Sequence, residues 1–267
     1  MTHIFAHRGS AGTHPENTMA SFIEAARVQA DGIELDVQLS RDGVVVVIHD
    51  ETVNRTTDGT GWVGQMTYRQ LRKLNANYKF KQYGFCPIPS LQEVLEWAQH
   101  TSLLINIELK NNLVPYERLE EKTIELVEQY RLASRVIFSS FNHESMATCH
   151  QLAPHIETAL LYMEKLHQPW DYAHTLHALA LHPYHRAVDR LFVEAAHANQ
   201  LLIRPFTINK EEQMKTMFQY EVDGIFTDFP EKAQNIREKN ASITLNRSVS
   251  FFENVVALCF VFDRGAK

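Results

Sequence analysis

Between His3 and Lys239, eight short apolar runs alternate with eight longer segments of helical periodicity, and this rhythm limits the fold more than any other feature of the 267-residue chain. The predicted strands are His3–Ala6, Gly32–Val37, Leu103–Glu108, Val136–Ser139, Thr158–Leu161, Ala178–Leu181, Leu202–Phe206 and Gly224–Thr227. The predicted helices are Thr18–Ala30, Leu91–His100, Tyr116–Tyr130, His143–Leu152, Trp170–His174, Ala187–Asn199, Lys210–Tyr220 and Glu231–Lys239. Regular strand–helix alternation favours a parallel α/β sheet. Eight such units make a (β/α)₈ TIM barrel, which typically takes about 250 residues. A doubly wound open sheet is the weaker alternative, because it lacks the circular convergence of strand ends. In Thr18–Ala30 the apolar residues Met19, Phe22, Ile23, Ala26 and Ala30 recur at helical spacing, as one face packed on a barrel requires. Pro15 and Pro230 mark helix starts.

Glu34 and Asp36 lie two apart in Gly32-Ile33-Glu34-Leu35-Asp36-Val37, an otherwise apolar strand. Residues i and i+2 share a strand face, so two carboxylates converge in a greasy setting. Burying paired negative charge costs several kcal/mol unless a cation sits beside it. Glu108, at the end of a second such strand, adds a third carboxylate, and Lys110 lies on the same face two residues on. Three oxygen donors without cysteine or histidine spacing suit one hard divalent cation, Mg²⁺ or Ca²⁺. A bridge by arginine or lysine is the open alternative. His7 follows the first apolar run and His49 follows Val44–Ile48, so each is placed at a strand end as a candidate acid or base. Every one of these groups is expected at the C-terminal, catalytic rim of the barrel.

The ordered text His7-Arg8-Gly9, Pro15-Glu16-Asn17-Thr18, Gly32–Val37, Asp42-Gly43, His49-Asp50, Arg55-Thr56-Thr57, Gly61, Ile88–Leu91, Glu108-Leu109-Lys110 and Asp223–Pro230 resembles the glycerophosphodiester phosphodiesterase family. The likeness covers roughly residues 3–239. It implies metal-dependent hydrolysis of a glycerophosphodiester to sn-glycerol 3-phosphate and an alcohol. His7 and His49 would be the catalytic pair, Glu34, Asp36 and Glu108 the metal ligands, and Arg8 and Lys110 the phosphate contacts. The implied first step is attack by the substrate's own 2-hydroxyl, with direct attack by water as the competing route. Phe206, in Phe206-Thr207-Ile208-Asn209, stands where the family often has tryptophan; an aromatic wall is kept and the indole donor is lost. Gly9-Ser10-Ala11-Gly12 resembles an anion-binding turn only weakly. Of the other histidines, only His182, after the sixth strand, is placed to line the cleft. A segment of about residues 50–87, inserted after the second strand unit, is expected to cover or shape the site.

A net charge of −6 argues against nonspecific binding to nucleic acid or anionic membranes, and no membrane-binding basic patch stands out. It leaves room for a small anionic substrate, because a local cation reverses the field in one cleft. Cys86, Cys149 and Cys259 have no paired spacing, and the N-terminus has no signal-like segment, so a cytoplasmic protein with reduced thiols is expected. The sequons at Asn54, Asn240 and Asn246 are then chance matches. Residues 241–267 form a tail without an assigned role; its apolar stretch of twelve residues, Phe251–Phe262, is too short to span a bilayer, and an oligomeric contact is one possible use. A phosphoinositide-cleaving phospholipase and a non-catalytic barrel are the two other functional classes the sequence allows.

Overall fold

A computed structural model describes residues 1–239. The tail at 241–267, with Cys259 and the sequons at Asn240 and Asn246, lies outside the described residues. Nine strands occur among the described residues: β1 (His3–Ala6), β2 (Gly32–Leu39), β3 (Val45–Val47), β4 (Leu104–Leu109), β5 (Val136–Ser140), β6 (Glu157–Tyr162), β7 (Ala180–Pro183), β8 (Leu202–Ile203) and β9 (Gly224–Thr227). Eight of them run parallel in the order β8-β7-β6-β5-β4-β2-β1-β9. Between the ends of this row, Asp223 N–H donates to Ile203 O (2.9 Å), Phe226 N–H to Pro205 O (3.1 Å) and Ile208 N–H to Phe226 O (2.8 Å). These bonds draw the row into a nearly closed TIM barrel.

The helices α1 (Met19–Arg27), α3 (Leu91–Ala98), α4 (Leu119–Gln129), α5 (His143–Leu152), α6 (Pro169–Thr175), α7 (Arg190–Ala198) and α8 (Glu211–Gln219) follow the barrel strands, and 230–239 is helical as well. The short α2 (Tyr68–Leu71) belongs to the inserted segment. Several βα loops end on a side chain that satisfies the helix's first free N–H groups. Thr18 and Ser90 make capping boxes with Ser21 and Glu93, and Asp189 accepts from Phe192 N–H. No helix among the described residues is long and apolar enough to cross a membrane.

Strand periodicity divides the core into layers. Ile33, Leu35 and Val37 of β2, with Ile105, Ile107 and Leu109 of β4, join Phe22, Ala25, Leu91 and Leu95 under the helices. Each of these buried side chains larger than alanine contributes roughly 1.5–3 kcal/mol. Phe5, Ile137, Ala159, Ala180 and Phe226 fill the barrel. A third cluster, Val46, Ile48, Val53, Val63, Leu71, Ala76 and Ile88, gives the inserted segment a core of its own.

Three predicted boundaries are corrected. Glu34 and Asp36 do not end their strand. β2 overhangs the ring as far as Leu39, because Val37–Leu39 pair antiparallel with Val45–Val47 of β3, which lies off the ring. β8 stops at Ile203 rather than Phe206; Pro205 has no N–H to donate to a ladder. β7 begins at Ala180 rather than Ala178, since Ala178 N–H still bonds Ala173 O in the turn that ends α6.

Candidate active site

The side chains of Glu34 and Asp36 project into the barrel mouth because their neighbours Ile33, Leu35 and Val37 face the helices. On β4 the same alternation brings Asn106, Glu108 and Lys110 inward, and the register sets Asp36 opposite Glu108. One carboxylate oxygen from each of Glu34, Asp36 and Glu108 lies within 4.8 Å of the others. Glu34 Oε1 and Asp36 Oδ1 are buried and have no hydrogen-bond partner among the described residues. Orphaned acceptors of this kind cost about 1–3 kcal/mol, and more when charged. A hard divalent cation would satisfy them, and the all-oxygen donor set suits Mg²⁺ or Ca²⁺.

Basic groups surround this cluster. Arg8 N–H donates to Glu34 Oε2 (2.7 Å), and Arg8 Nε stands 3.4 Å from Asp36 Oδ2. Asn17 Nδ2 donates to the same Asp36 oxygen (2.8 Å), and Lys110 Nζ to Glu108 Oε1 (2.9 Å). Burial alone would raise Asp36, but the charges of His49, Arg8 and Lys110 and the Asn17 bond hold it far below the usual carboxylate range. Burial and the like charges of Asp36 and Glu108 push Glu34 well up. Burial opposes the charge on Lys110, yet Glu108 and Asp36 raise it. Gly9 is needed where β1 turns toward α1: at φ +76° an added Cβ would overlap Ser21, whose hydroxyl donates to Arg8 O (2.9 Å).

The two histidines face the same cleft, each with Nδ1 against a carboxylate. His7 Nδ1 lies 2.6 Å from Asp228 Oδ1, and Asn209 Nδ2 donates to the other Asp228 oxygen (2.6 Å). Burial pushes Asp228 up, but the bond and charge of His7, with help from Asn209 and Arg8, keep it low. His49 Nδ1 lies 2.7 Å from Asp50 Oδ1. Arg55 holds Asp50 in turn, donating to both of its oxygens (2.7 and 2.9 Å) and to both oxygens of Glu16 (2.7 and 2.8 Å). Arg8 donates to Glu16 as well (2.8 Å). Burial raises Asp50, and the Arg55 and His49 bonds bring it down to about 2. Gln38 Nε2 reaches the carbonyls of Ile48, His49 and Asp50 (3.0, 3.0 and 2.8 Å), which fixes the backbone of His49 to the overhang of β2.

With Nδ1–H donated to the carboxylate, Nε2 of each histidine is left toward the cleft. Lys110 Nζ lies 3.3 Å from His49 Nε2. An ammonium can only donate there, so in this contact Nε2 is the acceptor.

His7, Arg8, Glu34, His49 and Glu108 line a cleft enclosing about 600 Å³, part of it open to solvent. Phe141, Leu161, Phe206 and Phe226 form its apolar side, with Phe206 edge-on to Phe141 at 5.8 Å. His182 also lines it, fully buried; burial and neighbouring Arg204 push it well below its ordinary value, so it stays neutral. Every predicted site residue therefore lies in or beside one cleft. Asp228, Asn209, Asp50, Arg55, Glu16 and Asn17 also belong to its hydrogen-bonded framework, and sequence reasoning gave none of them a role. The adjacency of His49 and Asp50 was the only local signal available.

The sequence profile of the glycerophosphoryl diester phosphodiesterase family matches residues 7–232. A glycerophosphodiester phosphodiesterase of Bacillus altitudinis is 50% identical over 243 residues, 90% of this chain and 99% of that one. One from Caldanaerobacter subterraneus is 43% identical over 239 residues, covering 89% and 98%. A phosphodiesterase of Oleispira antarctica, solved in complex with the product sn-glycerol-3-phosphate, superposes with a TM-score of 0.82 at 31% identity over 89% of this chain and 97% of that one. Barrel, cleft and sequence agree, and the chain belongs to the glycerophosphoryl diester phosphodiesterase family.

Proposed function

We propose that the protein hydrolyses glycerophosphodiesters to sn-glycerol 3-phosphate and an alcohol, with His7 and His49 as acid and base and with one bound divalent cation. The observation that carries this reading is the pair of carboxylate-backed histidines on either side of a three-carboxylate cluster. Glu34, Asp36 and Glu108 would hold Mg²⁺ or Ca²⁺, which supplies charge neutralisation and polarisation of a phosphoryl oxygen. Arg8 and Lys110 bind the remaining phosphoryl oxygens and take up the charge that develops on them. Phe206, Phe141 and Leu161 cover the apolar side of the substrate.

His49 Nε2, the acceptor in its contact with Lys110, removes the proton from the attacking hydroxyl, which is the glycerol 2-hydroxyl in the route the family resemblance implies. His7, held at Nδ1 by Asp228, gives a proton from Nε2 to the oxygen of the leaving alcohol. In that route a second turn with the roles reversed lets water open the cyclic phosphate. The setting we propose is cytoplasmic, in keeping with Cys86 and Cys149 as buried free thiols.

The experiment is release of glycerol 3-phosphate from a panel of glycerophosphodiesters and inositol lipids, with chelator and after return of Mg²⁺ or Ca²⁺. Activity lost on chelation and restored by either ion is the expected result. Full turnover in a chelated, metal-free sample would remove the cation, and preference for inositol lipids would remove the substrate class.

A further inference from the structure

We propose that the catalytic face of the barrel docks on an anionic lipid–water interface through the segment between β3 and α3. The whole-chain charge conceals this surface. Residues 59–92 contain Arg69, Arg72, Lys73, Lys79 and Lys81 and no acidic residue, in a chain of net charge −6. Arg72 pairs with Glu93; the other four are exposed and have no carboxylate partner among the described residues. The same segment exposes Trp62, Tyr78 and Phe85, the last at 60%.

Within this segment residues 76–86 form a built loop. Its neck is closed by Ala76 N–H to Cys86 O (2.6 Å) and Asn77 Nδ2 to Gly84 O (2.8 Å). Tyr83 anchors it to the loop that carries His7 and Arg8: its hydroxyl donates to Thr13 O (3.1 Å) and its ring lies 4.4 Å from that of His14. Outward it presents Tyr78-Lys79-Phe80-Lys81, with Lys79 Nζ over the rings of Tyr78 and Phe80 (5.4 and 5.2 Å). Aromatic rings settle at the headgroup level of a bilayer and lysines bind its anionic lipids.

The apolar side chains elsewhere on the surface favour this occupant over a dissolved anion. Of the twelve large exposed hydrophobic residues among those described, six are in loops that follow barrel strands: Trp62, Tyr78, Phe85, Leu113, Met163 and Leu166. Such loops all lie on the face that opens the cleft. Electrostatic steering of a soluble phosphodiester would explain the lysines, but it gives no reason for an apolar rim around them. Apolar contact plus a basic patch is the combination that holds a protein peripherally at a membrane without insertion.

The test is co-sedimentation of the full chain with vesicles of phosphatidylcholine containing phosphatidylglycerol, and with phosphatidylcholine alone, at low and high salt. Wild type should partition onto the anionic vesicles, more weakly in high salt. Lys79→Gln with Lys81→Gln should reduce partitioning by about thirtyfold, at roughly fivefold per lysine. Phe85→Ser should reduce it roughly tenfold. Melting temperatures near wild type confirm that the variants fold, and turnover of the anionic diester glycerophosphoglycerol should be unchanged. No association by wild type, equal association with neutral vesicles, or unaltered association of the variants would each overturn the proposal, the last by placing the contact elsewhere in the chain. A parallel fall in kcat/KM on glycerophosphoglycerol, an anionic diester, in the lysine variants would overturn it in favour of steering. Vesicle binding is read without turnover, so its failure leaves the hydrolytic reading standing.

Discussion

His7 and His49 are held by carboxylates in nearly identical geometry but are built from opposite materials. His7 is fastened by long-range partners: Asp228 is 221 positions away in sequence, and Asn209, from the loop after β8, braces it. Closing the barrel creates that contact, so it is as rigid as the barrel. The partner of His49 is its neighbour Asp50, and what fixes the pair is Arg55, half-exposed and reaching across to Glu16. One half of the site is thus a product of the ring, while the other depends on the inserted segment staying seated. The difference predicts unequal sensitivity to the same chemical change on the two sides.

The largest effects should come from the histidines themselves, where the halves behave alike. His7→Ala and His49→Ala should each lower turnover by about two orders of magnitude or more, and the double variant should be scarcely worse than either single. Metal affinity, measured by titration, should stay near wild type. A single variant with near-normal turnover would break the pairing of the two halves; expulsion of the metal would instead bring nitrogen into the ligand set.

The asymmetry should show one step out. Asp228→Asn should cost roughly 10–100-fold in turnover, by analogy with loss of a carboxylate that orients a metal-bound histidine. Asp50→Asn should cost less, because Gln38 still holds the His49 backbone at three carbonyls. Steady-state kinetics of the two variants on one substrate decides this, and a larger loss at Asp50 would reverse the comparison.

The smallest effect is on stability. Asp50 titrates near 2 in the folded protein against about 3.9 in an unfolded chain. A depressed folded value means that its contribution is complete above about 4 and disappears as pH falls through 2. Melting temperatures followed from pH 5 to pH 2 should therefore decline less steeply in Asp50→Asn than in wild type. Equal slopes would mean that the Asp50–Arg55 contact adds nothing to folding, as many half-exposed ion pairs do not.

What was legible in the sequence follows the same division. The period of two along Gly32–Val37 and Leu103–Lys110 assigns side chains to faces, so Glu34, Asp36, Glu108 and Lys110 could be put together from text alone. The eight-fold alternation likewise gave the barrel. Asp228 and Asn209 carried no such signal, since only ring closure brings them to His7. The pairing of His49 with Asp50 ran against strand logic, in which neighbours point to opposite faces, and it forms because the chain leaves β3 at Val47. Glu16 and Arg55 stand in motifs shared with the family, but a contact spanning 39 positions between two loops has no periodicity to reveal it.

The overhang of β2 has a mechanical consequence. A strand that projects beyond its ring is a beam clamped at one end, and Gln38 rivets the His49 segment to the free part of that beam. The clamped part of the same beam bears Glu34 and Asp36. Base and acidic cluster therefore share one stiff member and shift together when the protein breathes.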